Sequence, residues 1–166
     1  MRRVRLVLTV TAMFLFAAAA TAWARGDGWQ PLPPPPPFDI QCGSTPVHVT
    51  FPVDRQYFRN LPQQDGTIIQ QITGSLFVHF ATDSGPSVTL NLSGPGSNVI
   101  YPNGDFELHG EGLNGGSWSP DQTAALGMPE QWASSGLIDV IIHADGSVVG
   151  VRIPHNVTDI CAELGL

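Results

Sequence analysis

From Cys42 onward apolar and polar residues alternate with period two, broken by Gly, Asp, Asn and Pro at short intervals. That is the pattern of short antiparallel strands with one buried face, joined by tight turns. The hairpins can be tested by register. A two-residue loop at Asp145-Gly146 sets Ile142 opposite Val149, Val140 opposite Val151 and Ile138 opposite Ile153. The other face then carries the opposite-charge pair Asp139 and Arg152. The same loop at Asn103-Gly104 sets Tyr101 opposite Phe106 and Val99 opposite Leu108. At Asp83-Ser84-Gly85 a three-residue loop with glycine last sets Phe80 opposite Val88, Val78 opposite Leu90 and Leu76 opposite Leu92. Asp65-Gly66 marks a fourth turn, less regular because Pro62 falls opposite Ile69. Gly74 inside the next strand predicts a bulge or bend, and Val47, Val49 and Phe51 alternate with His48 and Thr50 as a strand upstream.

These elements predict an all-β fold, an antiparallel meander of seven to nine strands that closes into a small barrel or a sandwich, with the barrel favoured. The one helical element expected is a short turn at Thr158–Leu164, capped by Thr158 and carrying Cys161. One stretch departs from the meander, 110–136, which reads as a long loop holding Trp118, Met128, Pro129 and Trp132 among polar residues. Long loops in compact domains are often functional. Trp118, Met128 and Trp132 are therefore the candidate ligand-binding residues, at the mouth of a pocket; the competing reading makes the segment a plug over the open end of the sheet.

The N-terminus changes the picture. Arg2, Arg3 and Arg5, an apolar run from Leu6 to Ala20 and the small-x-small Ala22-Trp23-Ala24 form a secretory signal peptide, residues 1–24. The run is short for a membrane span, so a secreted chain with no span after cleavage is expected. Residues 25–41 read as a proline-rich tether. Pro31 and the run Pro33 to Pro37 favour a polyproline II rod that cannot build a core, and residues 42–166 form one β domain. In an exported chain the only cysteines, Cys42 and Cys161, read as a disulfide. Beyond Ala24 four arginines stand against all 14 acidic residues, a net charge of −10, and the chain has no lysine. That charge repels phosphate backbones and excludes nucleic acid as a main partner. The absence of lysine excludes Schiff-base chemistry.

Candidate chemistry is sparse. His48, His79 and His109 fall on polar strand faces, where they either assemble a zinc or copper site across neighbouring strands or lie solvated. His79 and His109 are the metal candidates, and no metal or other cofactor is required by any motif. His109 with Glu111, and His143 with Asp145, place an imidazole two residues from a carboxylate. The glycine-rich Leu92–Gly96 reads as a turn, since neither a P-loop nor a dinucleotide fingerprint follows. No nucleophile elbow or catalytic-cysteine pattern occurs. Asn91-Leu92-Ser93 and Asn156-Val157-Thr158 match the glycosylation acceptor pattern, which matters only in a eukaryotic secretory pathway.

Asp65-Gly66-Thr67 leading to Ile72-Thr73-Gly74, then Leu92–Gly96, the late Asp-Gly hairpin and Asp159-Ile160-Cys161-Ala162 together resemble a group of small secreted actinobacterial β-rich proteins, over Cys42 to Leu166. The resemblance implies export and paired cysteines, and carries over no catalytic residue. The functional expectation is a non-enzymatic extracellular module for a small apolar ligand or a cell-surface protein. The alternatives are a small-barrel enzyme of cyclase or isomerase type using His79, His109 and Glu107, and an envelope-associated structural protein.

Overall fold

The computed structural model describes residues 28–83 and 85–166; the expected signal peptide lies outside them. The described chain forms twelve strands and two short helices: β1 (Gln30–Pro31), β2 (Phe38–Cys42), β3 (Thr45–Pro62), β4 (Ile68–Ala81), β5 (Ser87–Asn91), β6 (Gly96–Ile100), β7 (Phe106–Gly110), β8 (Leu113–Ser117), α1 (Pro120–Leu126), β9 (Gln131–Ser135), β10 (Ile138–Ile142), β11 (Val148–Arg152), β12 (Asn156–Asp159) and α2 (Ile160–Glu163). A 9-stranded antiparallel sheet runs β1-β3-β4-β6-β7-β10-β11, with β2 added on β3 and β5 on β4; a 3-stranded sheet runs β12-β9-β8.

The long strands β3 and β4 change neighbours half-way. Thr50 pairs His79 and Val53 pairs Phe77, so Phe51 and Pro52 together oppose Val78. Proline has no N–H for the ladder, and a bulge is where a sheet tolerates it. Beyond the bulge Gly74 sits opposite Gln56 at φ 121°, and a Cβ there would lie 2.2 Å from the Arg55 carbonyl oxygen. The register runs unbroken through Gly74, so the bulge expected there lies instead at Phe51-Pro52, and the glycine is needed for close backbone approach.

The architecture is sandwich-like and the favoured barrel is not formed. The large sheet ends at β1 and β11, which do not pair with each other. The small sheet instead covers the hollow. Strand β9 is buried along its centre, with Trp132 in one core beside Ile138 and Val140, and Ala133 in another beside Val47, Val49 and Phe80. Adjacent side chains on a strand point to opposite faces, so β9 serves both cores. Full burial of an aliphatic side chain such as Ile138, 0% exposed, stabilises by about 2 kcal/mol.

The segment 110–136 is therefore not a loop. It supplies β8, α1 and β9. Helix α1 is set by a capping box: Ser119 Oγ accepts from the Gln122 N–H while Gln122 Oε1 accepts from the Ser119 N–H, with Pro120 in the first turn and Gly127 left-handed at the end. At the C-terminus α2 is capped by Asp159 rather than Thr158, through its carboxylate and the Cys161 and Ala162 N–H groups. The Cys42–Cys161 disulfide pins α2 to the end of β2.

The proline rod is docked. Gln30 pairs Phe58, Pro31 pairs Tyr57, and Phe38 pairs Val49, so residues 32–37 run beside the edge of β3. Seven steps of polyproline II at about 3.1 Å match this stretch of strand at about 3.3 Å per residue once one residue is given to the bulge. Leu32, Pro35 and Phe38 are half-buried and the prolines between them exposed, the three-residue period of that helix. Residues 38–41, expected as tether, are β2.

Candidate functional site: a polar row across the open sheet face

Six strands of the large sheet, β3, β4, β6, β7, β10 and β11, each contribute one polar residue to a single cross-strand row. Arg59 pairs Gln71, Gln71 pairs Ser97, Ser97 pairs His109, His109 pairs Asp139 and Asp139 pairs Arg152. Directly opposed residues share a face, so six strands present Arg-Gln-Ser-His-Asp-Arg in line. At about 4.8 Å per strand the row is about 24 Å long. Trp29, one step before the Gln30–Phe58 pair, extends it: the Arg59 guanidinium lies 4.9 Å from the indole centroid. The face is outward, because neighbours one step away, Leu108 and Val140, point into the core.

The row is tied at both ends, with Ser97 untied between them. Arg59 Nε donates to Gln71 Oε1 at 2.7 Å. His109 Nδ1 meets Asp139 Oδ1 at 2.8 Å and its Nε2 meets Glu107 Oε2 at 3.2 Å. Arg152 Nε lies 3.7 Å from Asp139 Oδ2. The other Glu107 oxygen accepts from Tyr101 Oη at 2.9 Å. That carboxylate, with burial, pushes the Tyr101 phenol above its ordinary pKa. Behind the row Asn98 donates to Gln70 and Gln70 to Asn60, at 3.1 and 3.2 Å, locking β3, β4 and β6 from the other face.

A cleft of ≈ 360 Å³ opens on this row between Trp29 at one end and His109 and Glu111 at the other, with Gln71, Thr73 and Ser97 along its floor. Thr73, Ser97 and Glu111 make no side-chain hydrogen bond with any described residue and are free to bind. A second cleft of ≈ 160 Å³ lies between the sheets, walled by Ile72, Leu76 and Leu108 of the large one and by Trp132 and Gly115 of the small one.

No family model, curated protein or solved structure matches this chain. What the site can do therefore rests on its own geometry.

Of the residues singled out from sequence, Trp118, Met128 and Trp132 are packed together in the second core, at 8%, 3% and 2% exposure. The two indoles stack at 5.7 Å and 11°, and neither ring N–H has a partner among the described residues. Of the three, Trp132 lines the inner of these two clefts. Cys42 and Cys161 are bonded. His79, on β4, bonds Thr89 of the paired strand β5 at 2.8 Å. His109 belongs to the row, level with Gln71, eight residues from His79 along β4. No three His, Cys, Asp or Glu among the described residues are placed to hold a metal ion. His48, which sequence grouped with these two, is held between Asp39 and Asp83 at 2.6 Å each, and these carboxylates raise its pKa, Asp83 foremost.

Glu107 was named beside His109 and does bond it. Glu111 faces the cleft instead, and His143 pairs with Asp105 at 3.4 Å, not Asp145. Trp29, Arg59, Gln71 and Ser97 were missed. The available signal was Trp29 itself, an aromatic stranded beside the proline run in a segment taken for a tether.

Proposed function

We propose that the chain is an exported, non-enzymatic binding module that holds its ligand or cell-surface partner on the outward polar row. The observation that carries this reading is the combination of a rigid row with unspent side chains. Residues from six strands are fixed in line, while Thr73, Ser97 and Glu111 stand free in the cleft beside an exposed Trp29. Preorganised polar groups on strands lose little freedom on binding. The leader-like N-terminus, the disulfide and the net charge of the cleaved chain support the extracellular setting. Among the described residues no helix is long and apolar enough to cross a membrane.

Acid–base catalysis is less well served. Both ring nitrogens of His109 already face carboxylates, leaving no lone pair aimed into the cleft to take a proton. The free side chains suit hydrogen-bonded recognition, and the cleft is polar where an apolar ligand was expected.

The test is co-sedimentation of the secreted protein with cell-envelope material from its producer. A Trp29→Ala/Glu111→Gln variant removes an aromatic contact, about 1 kcal/mol, and a charged hydrogen bond, about 1.5 kcal/mol. Together these weaken binding by more than tenfold. Full retention by the double variant would remove the row from consideration.

A further inference from the structure

We propose that the cleft between Trp29 and Glu111 takes a neutral saccharide. This rests on the reading of the row as a binding surface and names its ligand class.

Three features set the class. The first is the aromatic wall. Trp29 is 44% exposed, whereas Trp118 and Trp132 are buried, and the Arg59 guanidinium at 4.9 Å fixes its ring over the end of the row. An aromatic face is electron-rich and attracts the polarised C–H groups of a sugar ring as weak donors. The second is the pattern of free hydrogen-bonding groups. Thr73 and Ser97 offer hydroxyls that both donate and accept, Glu111 offers a carboxylate acceptor, and Gln71 keeps its amide N–H₂ because Arg59 uses only its oxygen. Ligand hydroxyls, each a donor and an acceptor, match that mixture. The third is charge. An anionic polymer meets a chain of net charge −10 beyond Ala24. A cationic ligand finds Glu107 and Asp139 already engaged by His109, Tyr101 and Arg152, and beside Trp29 it is repelled by the Arg59 guanidinium. Only Glu111 remains, enough to accept from hydroxyls. Beyond the cleft the row runs on through Asp139 to Arg152, so an oligosaccharide laid across the strands meets further polar groups at each step of about 4.8 Å.

The experiment uses Trp29 fluorescence of the intact secreted protein, because Trp29 is the solvent-reachable indole among the described residues. The probes are cellohexaose, maltohexaose, mannohexaose and chitohexaose up to millimolar concentrations, with tetraethylammonium as the cationic comparator. At least one saccharide is expected to shift the emission to the blue with saturation. Trp29→Ala should abolish the change. Glu111→Gln, which keeps the fluorophore and alters only an exposed side chain, should weaken binding about tenfold. Saturation by tetraethylammonium alone overturns the saccharide assignment while the row stays a binding surface. Silence of all four sugars, with envelope binding still lost in the double variant, does the same. Silence together with undiminished envelope binding overturns both readings.

Discussion

Removing the disulfide tests how this fold divides its stability between the native and unfolded states. Cys42 and Cys161 are 119 residues apart in sequence, so the bond closes nearly the whole domain. In the chain-entropy treatment a loop of about 120 residues removes about 16 cal/mol/K from the unfolded ensemble, about 5 kcal/mol at 25 °C. The native state should barely respond to Cys42→Ala/Cys161→Ala. Helix α2 stays docked through Ile160 and Leu164, each 2% exposed, through its Asp159 cap, and through the pairing of β12 with β9. The expected loss is therefore about 4–5 kcal/mol, expressed in the denatured chain, which also becomes more expanded. Urea unfolding followed by the near-ultraviolet dichroism of the Trp118–Trp132 stack measures both effects. With an m-value of roughly 2 kcal/mol/M the midpoint falls by about 2 M, and m itself rises because more surface is exposed on unfolding. A loss under about 2 kcal/mol with unchanged m would refute the argument, and would mean that the unfolded chain is already held compact by something other than the bond.

Two further outcomes follow from single sites. Gly74→Ala places a Cβ 2.2 Å from the Arg55 carbonyl at φ 121°, so a loss of about 2 kcal/mol or more is expected in the same urea assay, and a neutral result would show that β3 and β4 can part there. His48 has its folded pKa raised by Asp83 and Asp39. Its protonated form is thus favoured by folding, and its contribution is fully present below the unfolded value of about 6.5 and fades as pH rises through the folded one. Proton NMR titration should show a His48 midpoint above 6.5 that drops in Asp83→Asn; an unmoved midpoint would dissociate the ring from that carboxylate.

The strands were legible in the sequence and their exact pairing only in part. The β4–β5 hairpin has the expected register, Phe80 with Val88 and Val78 with Leu90. The three Asp-Gly and Asn-Gly turns were each read one residue too short. Backbone bonds join Gln63 to Thr67, Tyr101 to Asp105 and His143 to Ser147, so every loop has three residues, ending in a glycine of φ 87°, 92° and 86°. In each loop the Asp65, Asn103 or Asp145 side chain accepts from the N–H two residues on, which favours this turn over the two-residue one. Both turn types carry the same Asx-Gly pair, so sequence alone does not separate them. The slip moves Val99 opposite Glu107 and Ile142 opposite Val148. Asp139 and Arg152 still meet, because a bulge at Val151 restores the count. Helix α1 was missed because seven residues show too little periodicity, although Ser119-Pro120 with Gln122 spelled out its cap. The polar row was invisible for a different reason. Its members come from six strands, and a one-residue error in any pairing turns a residue to the other face. Trp118, Met128 and Trp132 could not be told from pocket residues until β9 was known to lie between two cores.

The docked proline rod bears on how such a sheet behaves in company. Strand β3 is the longest in the protein, 18 residues, and a long bare edge is a template on which other chains can pair. The rod occupies that edge, and its prolines lack the N–H groups an incoming strand requires. At the opposite border β11 is short and kinked by its bulge, and ends in Arg152. Strand addition at these two borders of the large sheet is thus obstructed, and the segment that precedes the domain serves as its guard.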